Sequence, residues 1–130
     1  GIEDILKKAG NFAIQGEVAG PGIQKNRLGL NEIQLFVFNV YDIDNHKYLG
    51  FNEFVEFCKT YNLQSVPVIE TCVFDFTVEQ LLEKAKGNYS SGKFREGIVI
   101  RTVIEGYSEV LGGRSSFKTI NNEFLEKEED

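Results

Sequence analysis

Three charged side chains stand inside stretches that otherwise read as strands: Glu17 in NFAIQGEVA, Glu96 at the head of EGIVIRTVI, and Lys118 in SFKTIN. Taken singly, each is explained by alternation, which turns every second strand residue to solvent, and carboxylates and lysines are seldom fully buried. Their company suggests chemistry. Each acid adjoins a glycine, GE at 16–17 and EG at 96–97, and the lysine rises between Phe117 and Thr119. Two carboxylates and a lysine converging on a sheet face would suit a phosphate-bearing ligand with a divalent cation. Carboxylates hold the metal directly or through its waters, and a lysine neutralises phosphate oxygens. Glu17 is followed by VAGPGIQKNR, which holds more glycine than a hairpin turn requires and two basic residues, Lys25 and Arg27. Glycine allows a backbone to come close to a ligand.

Other chemistry fits the residues less well. DIDNHKYLGFNE places Asp42, Asp44, His46 and Glu53 at positions one, three, five and twelve of a calcium loop. Position six is Lys47, where glycine is needed, and a strand precedes the segment instead of a helix. His46, the sole histidine, lies in a turn and is expected to be solvated; no serine or cysteine pairs with it in sequence, so a hydrolase triad is unsupported. GGRSS lacks the strand and GKS/T context of a phosphate-binding loop. Cys58 and Cys72 sit in apolar runs and read as buried free thiols.

The elements that must position these residues come from one domain or part of one, since the chain has 130 residues. No stretch approaches the length of a membrane span and no signal-peptide pattern opens the chain, so no membrane partner and a cytoplasmic location are expected. The net charge of −6 argues against blanket nucleic-acid binding, but the tail from about residue 122 concentrates acid, whereas Lys93, Arg95, Arg101, Arg114 and Lys118 gather upstream. Residues 2–9 read as an amphipathic helix stopped by Gly10. In the following strand Phe12, Ile14 and Gly16 face one way and Gln15 and Glu17 the other. After a loop over 20–32, EIQLFVFNVYDI is the strongest strand, apolar enough to be central. DNHK turns the chain into a helix over 51–63 with Asn52 as its cap, and SVPVIETCVFDF runs extended with Pro67 marking an edge. TVEQLLEKAKG is a helix capped by Thr77 and Gln80. A polar loop, a strand over 96–104, a hairpin-like excursion and a last strand in SFKTIN complete an α+β domain with a mostly antiparallel sheet and flanking helices.

GEVAGPGIQKNRLGL, LFVFNVYDID, EGIVIR and SFKTIN, in that order, resemble the later motifs of the covalent nucleotidyltransferases, the polynucleotide ligases and mRNA capping enzymes. The similarity is greatest to ATP-dependent RNA ligases of the Deinococcus and Naegleria type and covers nearly the whole chain. The resemblance implies ATP and Mg2+ or Mn2+ as cofactors and RNA ends as partners. It implies that Glu17 is the motif III acid near the ribose or the waters of the metal, and that Phe38 stacks on adenine. It gives Glu96 the motif IV role of orienting a hydrated metal, and Lys118 the motif V role of pairing with the α-phosphate. For Phe38 the residue itself allows another reading, a core aromatic in a central strand.

Three departures stand beside the resemblance. Asn39 occupies a place where the family pairs aspartate with phenylalanine, and Ser116 stands for the first lysine of Lys-x-Lys, for which Arg114 offers a substitute charge. The attacking lysine of these enzymes lies in Lys-x-Asp/Asn-Gly, and LKKAG, the only lysine-bearing stretch before Glu17, is not that motif. With Gly1 at the start and no methionine, the expectation is a partial adenylation domain carrying motifs III to V, inactive alone. Its groove is expected to be half-built, with Glu17, Phe38, Glu96 and Lys118 lining one sheet face, and its uncovered apolar residues to favour self-association. A nucleotide- or RNA-binding remnant, and a DNA ligase or capping-type relative, are the alternatives.

Overall fold

The computed structural model describes residues 1–127. Helix α1 (Ile2–Ala9) ends at Gly10 and leads into β1 (Phe12–Ala19), then through a short 3₁₀ turn at Gln24–Asn26 to β2 (Gln34–Asp42) and β3 (Lys47–Tyr48). Helices α2 (Phe51–Thr60) and α3 (Val78–Ala85) follow. The remaining elements are β4 (Gly97–Arg101), the hairpin β5 (Tyr107–Ser108) and β6 (Gly113–Arg114), β7 (Ser116–Ile120), and α4 (Asn122–Lys127). Strands pair antiparallel in three sheets: β1-β2-β3, β4-β7 and β5-β6. The α+β class and the central place of β2 are as the sequence indicates. The expected single sheet is instead split, so Glu17 lies on the first sheet while Glu96 and Lys118 belong to the second.

The core lies between one face of the first sheet and α2. Val37 and Val40 of β2 are buried with Phe57 and Cys58 of α2, and Phe12, Ile14, Leu35, Leu49, Phe54, Tyr61 and Leu63 pack around them. The Phe57 ring meets Phe12 at 5.1 Å and Tyr61 at 4.8 Å between centroids. Burying such aromatics removes large apolar areas from water and fixes α2 across the sheet.

Four details differ from the sequence reading. Asn52 does not cap α2: Gly50 occupies the cap position without a side-chain bond, and the first helical amide, that of Phe51, donates to the carbonyl of Val103. The segment after α2 touches β2 through one parallel bridge, Val37 with Ser65, and then runs without regular structure to Thr77. Cys58 is buried but Cys72, in that irregular segment, is exposed. The strand starting after Glu96 stops at Arg101, because Thr102 turns its hydroxyl onto the carbonyl of Ile104. Helix α3 begins as expected, with Thr77 and Gln80 forming a reciprocal capping box. The acidic tail begins as α4, and Glu128, Glu129 and Asp130 lie outside the described residues. Among the described residues no helix is long and apolar enough to cross a membrane.

Candidate functional site

The site starts from an irregularity in β2. Gln15 pairs with Asn39 and Gly16 with Val37, so Phe38 is an extra residue without a cross-strand partner, a β-bulge. On either side of it, Val40 and Val37 face the core. The bulge therefore lets one strand keep both valines inward while Phe38 and Asn39 belong to the opposite face. Glu17 pairs with Phe36 and lies on that same outward face, in phase with Gln15. Phe38 is half-buried and absent from the residues packed on the core cluster. The core-aromatic reading of Phe38 does not describe it.

Beside Glu96 stands a residue that the sequence reading passed over as polar loop. Tyr89 is half-buried, and burial raises its hydroxyl above the usual phenol range. The Glu96 backbone amide hydrogen-bonds the phenol oxygen and opposes that rise, while the charges of Glu96 and Glu17 add to it and Arg27 lowers it. One hydroxyl thus feels both carboxylates. The glycine-rich loop is docked against the same segment: the Ser91 hydroxyl donates to the Arg27 carbonyl, and Arg27 donates to the carbonyl of Phe94. Gly29, at φ +68, comes so near that an added Cβ would stand 2.9 Å from the Ser91 Cβ. Close approach explains one of the loop's glycines: it lets the β1–β2 connection reach the turn before Glu96. Arg27 also lies 4.7 Å from the Phe124 ring of α4.

Lys118 is exposed on β7 of the second sheet. It pairs with Val99, and Ser116 pairs with Arg101, so Lys118, Ser116, Val99 and Arg101 share one face of β4-β7. Arg101 reaches from that face to the first sheet, donating from Nη1 to the Phe38 carbonyl at 2.7 Å and from Nε to Ser116 Oγ at 3.2 Å. Alternation alone would put Glu96 on the other face, with Ile98. Gly97, between Glu96 and the strand, adopts φ +156 with its Cβ position 2.2 Å from the Thr119 carbonyl. The Asn121 amide donates to the Glu96 carbonyl at 2.8 Å, so the pairing runs on to Glu96, and the register does not bring it onto the face of Lys118 as the sequence reading expected. Among the described residues, the side chains of Glu17, Glu96 and Lys118 make no hydrogen bond or ion pair.

The two departures are explained locally. Asn39, only 9% exposed, donates to Gln15 Oε1 at 2.8 Å and accepts from Arg114 Nη1 at 2.6 Å. Arg114 is not a spare cation in place of the lysine missing at Ser116. Its Nε binds Glu105 at 2.7 Å and its guanidinium lies 4.0 Å from the Tyr48 ring centroid. Burial, then the like charge of Arg114, lowers the pKa of Arg101 against the opposing influence of Glu105 and Tyr48. Among the described residues no three His, Cys, Asp or Glu side chains cluster as a metal site. The donors at hand, Glu17 and Glu96, fit a hydrated hard cation that keeps water and phosphate oxygens in its shell.

Tyr89 and Arg101 are the residues that sequence alone did not single out for this site. Tyr89 had a faint signal as one of two aromatics, with Phe94, in a polar loop before EGIVIR. Arg101 closes that motif but gives no sequence clue that it crosses to β2.

The family described as RNA ligase matches residues 1–120. This chain belongs to the RNA ligase family. A Naegleria gruberi RNA ligase with PPi matches at a TM-score of 0.83 and 32% identity, over 99% of this chain and 38% of that one. A lysine mutant of that ligase with AMP and Mn gives a TM-score of 0.83 at 32% identity, with 99% and 38% of the two chains covered. Another lysine mutant, with ATP and Mn, gives 0.80 at 31%, with 97% and 37% covered. The chain thus spans well under half the length of the ligase structures it matches. No curated protein sequence matches it.

Proposed function

We propose that this chain is the nucleotide-binding part of an ATP-dependent RNA ligase, a partial adenylation domain whose cleft takes ATP with Mg2+ or Mn2+. The observation that carries this reading is the β2 bulge. It takes Phe38 off the core and onto the face of Glu17, and Arg101 joins that bulge to the sheet face carrying Lys118. Ligase structures of the matched organism with ATP and Mn support the choice of nucleotide and metal.

In this assignment Phe38 stacks on adenine, its half-exposed ring offering a flat apolar surface that any purine can use. Glu17 holds the ribose or metal-bound water, and Glu96 orients the hydrated metal. Lys118 pairs with the α-phosphate as pyrophosphate leaves, a charge placed where negative charge develops. A bound divalent ion supplies further charge neutralisation on the phosphates. In the complete ligase, ATP adenylates a lysine, the adenylate passes to an RNA 5′-phosphate, and a 3′-hydroxyl attacks to seal the ends. None of the 130 residues forms a Lys-x-Asp/Asn-Gly motif, so the nucleophile is not supplied by this stretch.

Titration of the 130-residue chain with ATP and MnCl2 tests the reading. Saturable binding lost in Phe38→Ala and Glu96→Ala supports it, together with no covalent label from ATP radiolabelled at the α-phosphate. A covalent, acid-labile adenylate on this chain, or the absence of any ATP binding, overturns it. Exposed apolar residues around 68–74 support self-association of the chain, read as a dimer in sedimentation; a strictly monomeric chain at high concentration overturns that part.

A further inference from the structure

We propose that Arg101 and Arg114 are positioning residues that clamp the β2 bulge, and with it the Phe38 ring. Asn39 and Ser116, two of the chain's departures from the ligase pattern, are the acceptors this clamp uses. The inference rests on the nucleotide-binding reading for the role of Phe38, but its geometry stands without it.

A bulge leaves its extra residue outside the ladder, and a half-buried carbonyl without a partner is costly. Arg101 meets that need at the Phe38 carbonyl, 2.7 Å from Nη1. What aims Arg101 there is its cross-strand partner: Ser116 Oγ accepts from Nε at 3.2 Å. One residue along the bulge, Arg114 donates to Asn39 Oδ1 at 2.6 Å while Asn39 Nδ2 donates to Gln15 Oε1 at 2.8 Å. The amide presents both a donor and an acceptor from one planar head, which a carboxylate does not. Glu105 and Tyr48 hold the other side of Arg114. The planar guanidinium suits these forked contacts in a way an ammonium does not.

The two departures are therefore linked. Arg101 and Arg114 are near enough for their like charges to interact, with Glu105 as the opposing carboxylate. A lysine at position 116 would bring a third cation against Arg101 and remove the oxygen that orients it. The serine keeps the clamp shut, so restoring the family's residue here is expected to harm the chain rather than improve it.

The test uses the 130-residue chain and two readouts. By calorimetric titration with ATP and MnCl2, Arg101→Ala and Ser116→Lys should each weaken binding about tenfold or more, the scale of a lost hydrogen bond to a charged group. Arg101→Lys, which keeps one donor, should recover part of the loss. Arg101→Ala combined with Phe38→Ala should bind no more weakly than Phe38→Ala alone, since the arginine acts through that ring. By amide hydrogen exchange without nucleotide, Arg101→Ala should speed exchange at Phe38 and Asn39 and leave Val40 unchanged. Additive losses would mean that Arg101 meets the nucleotide directly, and would overturn the proposal. Ser116→Lys binding as tightly as the parent, or unaltered exchange at the bulge, would overturn it too. If the parent chain binds no ATP, the functional reading fails, and the exchange measurement alone decides whether the clamp exists.

Discussion

The two halves of the molecule are finished to different degrees. The first sheet has a core of its own: β2 presents Val37 and Val40 to Phe57 and Cys58, and three aromatic rings interlock there. The second sheet has two strands, and much of its apolar surface is open. Val99 is 56% exposed, while Ile69 and Val73 of the neighbouring irregular segment are 63% and 86% exposed. Among the described residues, 67–76 form no backbone hydrogen bond, although they are apolar enough for a strand. Phe74 alone anchors that stretch to β7, edge-on to Phe117 at 6.0 Å. What joins the halves is polar: Arg101 to Phe38, Arg114 to Asn39, and the loop of Arg27 to Phe94 and Ser91. Apolar burial fixes the first sheet, and charged hydrogen bonds tie the second half to it.

The largest effect should come from the finished half. Phe57→Ala removes the ring at the centre of the aromatic trio and should cost about 3–5 kcal/mol, the range for buried aromatics. Val73→Ala, of similar chemistry but in the open segment, should change stability by no more than about 0.5 kcal/mol. Denaturant unfolding of both variants measures the contrast. Comparable losses would show that the open segment is as integral as the core, and the comparison would break.

Next in size is a loss of function without a loss of fold. In an intact ligase carrying this chain, Glu96→Ala and Lys118→Ala should each slow RNA sealing about 100-fold, or about 2.7 kcal/mol of transition-state stabilisation. Their melting temperatures should stay near the parent's, because neither side chain supports the packing. Near-parental sealing by both would return these charges to ordinary solvated strand positions.

How far the sequence reached follows the same division. Periodicity found α1, β1, β2, α2 and α3 because each has an apolar face with a partner inside the chain. The alternation of Gln15 and Glu17 against Ile14 and Gly16 was readable for the same reason. Residues 66–76 carry the composition of a strand, yet a strand needs a neighbour to bond with, and composition does not report one. The start of α2 at Phe51 was legible, but its cap at Gly50 was not, because the first helical amide is satisfied by Val103, about fifty residues away. Glu17, Phe38, Glu96 and Lys118 were singled out through ordered motifs. The bulge that turns Phe38 outward, Tyr89 bonded to the Glu96 backbone, and the arginines that reach β2 depend on pairing register, which single residues do not encode. The guess that Arg114 replaces a lysine failed on the same ground, since Glu105, Asn39 and Tyr48 already engage it.

A smaller effect tests whether the open half relies on local structure. Helix α3 starts with a reciprocal box, in which Gln80 N–H donates to Thr77 Oγ1 at 3.2 Å and Thr77 N–H to Gln80 Oε1 at 2.9 Å. Thr77→Ala should cost about 1 kcal/mol. Because α3 contacts both β4 and β7, faster amide exchange should follow in those strands and not in β2. Equal acceleration in β2 would mean that the halves unfold as one unit.

The smallest effect concerns the tie between the open segment and α3. Lys84 Nζ lies 2.8 Å from Glu70 Oε2 and 4.7 Å from the Phe76 ring centroid. The hydrogen bond from Lys84, and then its charge, lowers the Glu70 pKa below the ordinary 4.5. A lowered folded-state pKa means that folding favours the ionised carboxylate. Its contribution is therefore complete above the unfolded value and is lost as pH falls through the folded one. The pair is exposed, so the contribution is small and screened by salt. Lys84→Met keeps an apolar stem over Phe76 but removes the charge. At neutral pH and low salt the parent should be slightly the more stable, and the difference should close as the solution is taken below the Glu70 titration. A difference that persists unchanged in acid would assign the tie to packing on Phe76, and the open segment would then be held by apolar contact after all.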